Sequence, residues 1–196
     1  MNLIRKHPEG ARIFNAIMCL LGEFGVLFSM YLRFKKNDLG NLVGDAILAF
    51  ALFFAFIYLY KGSGKRAANY YKAALYLFLL SSLITIVITW MNCSQNSTFY
   101  VVASTVISLF SFILVAVVAF VPNLGKQKSL LFCGANYCMR EFIFVTVLLL
   151  MFFVPDGKYD RSLSMIVKPL AEAILSAVIY VNTLYKYIDK ENRHTV

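Results

Sequence analysis

Residues 99–121, FYVVASTVISLFSFILVAVVAFV, form a run of 23 residues without one charged side chain. As a helix it rises about 35 Å, enough to cross a hydrocarbon core of about 30 Å. Five further apolar segments flank it, at approximately 12–32, 41–60 and 70–90 before it and 136–154 and 163–185 after it. The composition agrees: 60% of the 196 residues are hydrophobic, only 15% are charged, and the mean hydropathy is +0.71. A soluble domain is nearer half apolar and a quarter charged, so this chain has too little polar surface for a water-facing globule and takes lipid as its main solvent. Its runs are continuous where barrel strands alternate, which argues against a β-barrel.

The expected fold is therefore all-α: a polytopic integral membrane bundle of six transmembrane helices, forming one domain over residues 1–196. The connectors KKNDLGN, KGSGKRA, NCSQNST, PNLGKQK and PDGKYDR are short and rich in turn formers, leaving no linker between domains. The fifth segment is the weakest. Its apolar core FIFVTVLLLMFFV (142–154) is too short to span alone and must borrow from NYCMRE before it. A re-entrant fifth segment, leaving five spans, is the alternative. The basic start MNLIRKHPEG is followed by no small-residue cleavage site, so the first apolar run reads as a retained helix.

The net charge of +9 is spread between apolar runs, which reads as membrane topology and affinity for anionic headgroups; nucleic acid is not an expected partner. With the N-terminus cytoplasmic, thirteen Lys and Arg residues fall on the inner side, Arg140 among them, and six on the outer side, Lys168 among them. This bias predicts both termini in the cytoplasm and points to a plasma membrane. The cluster RFKK (33–36) argues the other way. Two stretches, AANYYKAALYLF (67–78) and GANYCMREFIFV (134–145), place Ala-Asn-Tyr and a basic residue at what reads as an inner boundary. They suggest a weak parallel repeat of spans two and three with four and five.

Six spans in about this length are similar in gross architecture to the substrate-binding subunits of energy-coupling-factor vitamin transporters. The small-residue A-x-x-x-A face through which that family docks its partner is not evident in ARIFNAIMCLLG.

The sequence carries no expected catalytic, cofactor or metal set. Its histidines, His7 and His194, lie in the terminal tails, and Cys19, Cys93, Cys133 and Cys138 have no metal-ligand spacing. No H-E-x-x-H, G-x-S-x-G or phosphate-binding glycine loop is present, and KGSGK (61–65) reads as a basic turn. NCS (92–94) and NST (96–98) fit the glycosylation sequon.

The charges inside the spans carry most of the information, because an ionisable group at the bilayer centre costs about 2.5–3.5 kcal/mol or more and so faces a bundle interior or a cavity. Glu23, in CLLGEFGVLF (19–28), and Glu172 each lie roughly 13 Å below the outer end of their span, and Lys168 is one turn above Glu172 on the same face. Asp45 lies nearer the outer end of span two, and Arg33 sits above. If spans one, two and six are neighbours, Glu23, Asp45, Lys168 and Glu172 line one polar pocket in the outer half of the bilayer. The plainer alternative is that Lys168 and Glu172 neutralise one another while Glu23 is protonated by burial or hydrogen-bonds a neighbouring helix.

Three functions fit. The first is binding or transport of a small solute or cation through that pocket. The second is a non-catalytic accessory subunit, with Lys61, Lys65, Arg66, Lys126 and Lys128 contacting headgroups, a protein partner or a second copy. The third is a membrane enzyme using Glu23 or Glu172 as acid or base on a lipid-like substrate.

Overall fold

A computed structural model describes residues 8–61, 65–91, 98–121, 124–153 and 164–193. The sequon asparagines Asn92 and Asn96, Cys93, His7 and His194 lie outside the described residues. Six helices follow one another: α1 (Pro8–Lys35), α2 (Leu39–Lys61), α3 (Lys65–Met91), α4 (Thr98–Phe120), α5 (Lys126–Phe153) and α6 (Ser164–Arg193). All six are long and apolar enough to cross a membrane, and there is no strand among the described residues.

The helices run past the apolar segments that signal them. Helix α3 starts at Lys65 and carries Arg66 and Asn69 in its opening turns, because such residues continue a helix without registering in hydropathy. Helix α5 begins ten residues before the expected 136, which resolves the weak fifth segment: Gln127–Leu150 is a complete candidate span. That extension draws Arg140 into the bundle, where it is 4% exposed. Arg140 is therefore no loop charge, and neither is half-buried Lys168; removing one residue from each side leaves a bias of twelve against five. The two Ala-Asn-Tyr triplets also differ in setting, since Asn69 is exposed and Asn136 fully buried.

Each helix packs on the next in sequence, and α6 closes the bundle by packing on α1, α2 and α3 as well as α5. Spans one, two and six are thus mutual neighbours. Residues 171–176 of α6 are all buried, the pattern of a helix covered on every side. Small residues make this possible: Ala171, Ala173 and Ser176 let neighbouring backbones come close. Large apolar side chains such as Phe24 (69% exposed), Phe142 and Phe153 point outward, as lipid requires.

Helix α1 presents one seam to α2 and α6. Cys19, Gly22, Val26 and Ser29 are buried and recur at alternating steps of three and four, with Arg33 completing the series. A Cβ on Gly22 would stand 2.9 Å from Ile174 Cδ1 and 3.4 Å from Leu52 Cδ1, so side chains of α6 and α2 fill the space that a larger residue would need. Gly22→Leu should lower stability in detergent by about 1–3 kcal/mol through overpacking, read as a drop in melting temperature. Gly40→Ala, where nothing lies within 4 Å of the added carbon, is the control and should hold or raise it.

Candidate functional site

The corner between α1 and α2 is built by its sequence, KKND. Asn37 adopts φ 56°, the left-handed conformation that Asn tolerates better than most residues. Asn37 N donates to Phe34 O at 3.2 Å and Asp38 N to Arg33 O at 3.1 Å, the paired bonds of a Schellman C-cap. Asp38 then N-caps α2, its carboxylate accepting from Asn41 N at 3.3 Å. The same carboxylate accepts from Arg33 Nη1 at 3.0 Å. Burial alone would raise the Asp38 carboxyl, but the Asn41 and Arg33 hydrogen bonds and the Arg33 charge hold it below its ordinary value.

This corner aims Arg33 inward. Its Nε donates to Asp45 Oδ2 at 2.7 Å, and Ser29, one turn earlier on α1, donates to the same oxygen at 2.8 Å. Asp45 is 2% exposed, so the buried carboxylate of α2 has a charged and a neutral donor from α1.

A second ion pair joins α5 to α6. Arg140 Nη1 lies 2.5 Å from Glu172 Oε2, with both side chains less than a tenth exposed. The rest of the guanidinium is also used: Nε and Nη2 donate to Ser111 Oγ of α4 at 3.1 and 2.8 Å, and the plane lies 5.6 Å from the Phe78 ring of α3. Ser111 donates to Asn136 Oδ1, Asn136 donates to Ser176 Oγ, and Ser176 donates to the Glu172 carbonyl, at 2.7, 3.1 and 2.8 Å. Helical spacing makes the network. Cys133, Asn136 and Arg140 stack at three and four on α5, as do Ser108, Ser111 and Val115 on α4.

Lys168 stands between the two pairs. Its Nζ donates to Thr85 Oγ1 of α3 at 2.8 Å, and Glu172, Asp45, Arg33 and Arg140 are all within electrostatic reach. One turn before Thr85 lies Ser81, whose buried hydroxyl has no hydrogen-bond partner among the described residues. Pro169 follows Lys168 inside α6 and removes the backbone donor that would close on the carbonyl of residue 165.

The structure thus brings Asp45, Lys168 and Glu172 into one polar layer and adds Arg33 and Arg140 to it. The expected neutralisation of Glu172 by Lys168 is replaced by the pairing with Arg140. Intrahelical spacing puts Lys168 and Glu172 on one face, but Arg140 offers a planar guanidinium from the facing helix. Glu23 stands apart. It follows Gly22 by one residue, about 100° around α1 from the seam, and is half-buried with no hydrogen bond or ion pair among the described residues. Arg140 was discoverable: an apolar core too short to span requires the helix to start earlier, which places this arginine inside the bilayer and demands a carboxylate at its depth.

At the opposite end of the bundle, Lys61 lies over the Tyr70 ring, and Arg66 and Lys128 are exposed; the side chains of Lys65 and Lys126 lie outside the described residues. Tyr58 donates to Asn182 there, joining α2 to α6. Among the described residues no three His, Cys, Asp or Glu side chains group as metal ligands. Compared with protein families, curated proteins and solved structures, the chain matches none.

Arg140→Met should destabilise the protein by about 3–5 kcal/mol, because it breaks a buried ion pair by removing one partner. Arg140→Met combined with Glu172→Leu should recover most of that loss, which a double-mutant cycle of unfolding free energies will read. Asp38 gives a pH signature. Its carboxyl is held low in the fold, so its contribution is full above the ordinary Asp value of about 3.9 and fades as pH falls through the lower folded value. The melting-temperature gap between wild type and Asp38→Asn should hold from about pH 7 to 5 and close towards about pH 3.

Proposed function

We propose that this multi-pass membrane protein binds a small solute carrying an anionic group, through the polar layer among α1, α2, α3, α5 and α6, with Lys168 as the contact. Both termini are taken as cytoplasmic and the membrane as the plasma membrane, which puts the layer in the outer half of the bilayer. One observation carries the reading. Both carboxylates of the layer already have cationic partners, Asp45 with Arg33 and Glu172 with Arg140, while among the described residues the Lys168 ammonium spends one of its three donors, on Thr85. A cationic solute would have to displace an arginine. A carboxylate or phosphate finds an ammonium with donors to spare and the unpartnered Ser81 hydroxyl one turn from Thr85. In a low-dielectric layer such a charge-assisted contact is strong.

A second reading, an accessory subunit, draws on Glu23. A half-buried carboxyl in mid-span without a partner among the described residues suits a donor side chain from another membrane helix.

Thermal unfolding in detergent separates these readings. Succinate, inorganic phosphate and amino acids should raise the melting temperature of the wild type where polyamines and alkali cations do not. A compound at about 100 times its dissociation constant adds about 2.7 kcal/mol. Lys168→Met should remove the response and keep the fold. No response to any anionic compound, or one unchanged in Lys168→Met, overturns the assignment. Co-purification of a membrane partner lost in Glu23→Gln supports the second reading instead.

A further inference from the structure

Where α1 begins and α2 ends, a groove of about 340 Å³ runs between the two helices on the outer surface of the bundle, remote from the polar layer. One wall is a stripe on α1, with Ile13, Ile17 and Leu20 recurring at four and three; they are 58%, 50% and 36% exposed. The other wall is the stacked pair Phe56 and Tyr60, one turn apart on α2 with ring centroids 6.1 Å apart. From residue 12 to residue 20 the groove extends about 12 Å along the helix axis, so its long dimension follows the membrane normal.

Arg12 lies at the terminal end of this apolar slot. Its guanidinium makes no ion pair among the described residues, and the groups within its electrostatic reach include the neutral phenols of Tyr58 and Tyr185. Lys61, next to Tyr60, adds a second cation at the same end of the bundle. A guanidinium without an ion pair among the described residues, at a helix end above a slot open to lipid, matches the two halves of a phospholipid: a phosphate that accepts two parallel N–H bonds and a chain that needs only apolar contact. In a chain with six membrane-crossing helices, lipid fills this slot in any case. What Arg12 adds is selection by headgroup charge.

We propose that this groove is a site for one anionic phospholipid, with its phosphate on Arg12 and an acyl chain lying between Ile13, Ile17 and Phe56. Native mass spectrometry of the full-length protein in detergent tests it, using phosphatidylglycerol and phosphatidylcholine with identical chains. The expected result is one saturable phosphatidylglycerol, preferred over phosphatidylcholine by about fivefold or more. Arg12→Gln should bring the preference to about one, and Arg12→Lys should leave part of it, since a lysine keeps the charge and loses the fork. Ile17→Trp, which fills the slot, should weaken both lipids. If Arg12→Gln does not fold, Arg12→Lys and Ile17→Trp carry the comparison. Equal binding of the two lipids by the wild type overturns the site. So does a preference untouched by the Arg12 variants, or displacement of the bound lipid by inorganic phosphate alone, which would mark a headgroup pocket without a chain site.

Discussion

A charge inside a bilayer has no water to turn to, and the pairing of Arg140 with Glu172 is this chain's answer. Each ion alone would carry a desolvation penalty of several kcal/mol, repaid only when geometry is good and the remaining donors are satisfied. Those conditions reach well beyond the pair. Ser111 must come from α4 to take two guanidinium nitrogens, Asn136 must sit one turn before Arg140 to take Ser111, and Ser176 must sit one turn after Glu172 to take Asn136. Lipid-facing side chains tolerate rotation of a helix because hydrocarbon is the same in every direction. This network does not, and it fixes the relative rotation of three helices at once.

The pair between Arg33 and Asp45 repeats the logic at the other side of the layer, with the difference that its position is set by a turn. The left-handed Asn37 ends α1, Asp38 starts α2, and the two helices then diverge from a corner that holds Arg33 between Asp38 and Asp45. A surface carboxylate and a buried one share one guanidinium, so the cap of a helix and the polar layer are mechanically one unit. Among the described residues Lys168 is the cation of the layer without an ion pair, its hydrogen bond going to a neutral hydroxyl, and this sets it apart from the two arginines.

The spans were legible in the sequence because the bilayer imposes length and apolarity on them, and both can be read without knowing a single contact. The ends were less legible, since Lys65–Asn69 and Lys126–Ser129 are helical while carrying no apolar signal. That gap cost the reading of Arg140, taken as a boundary charge. The candidate carboxylates Asp45 and Glu172 could be found by their depth, but not their partners, because depth fixes a level and pairing depends on helix rotation. For α1 the rotation was in fact readable: Cys19, Gly22, Val26, Ser29 and Arg33 make a seam by spacing alone, and Glu23 falls beside it.

The central position of α6 has a consequence for biosynthesis. The ribosome delivers this helix after the other five, yet it is the one that α1, α2, α3 and α5 all pack against. Until it enters, Arg140 and Asn136 sit in the membrane without Glu172 and Ser176, and the seam of α1 has no α6 to close on. Taking the last helix away from this arrangement opens the bundle on the side where the Arg140 guanidinium faces it. The insertion machinery must shelter that intermediate, or water must follow the arginine in, until the last helix slides into the gap and seals it.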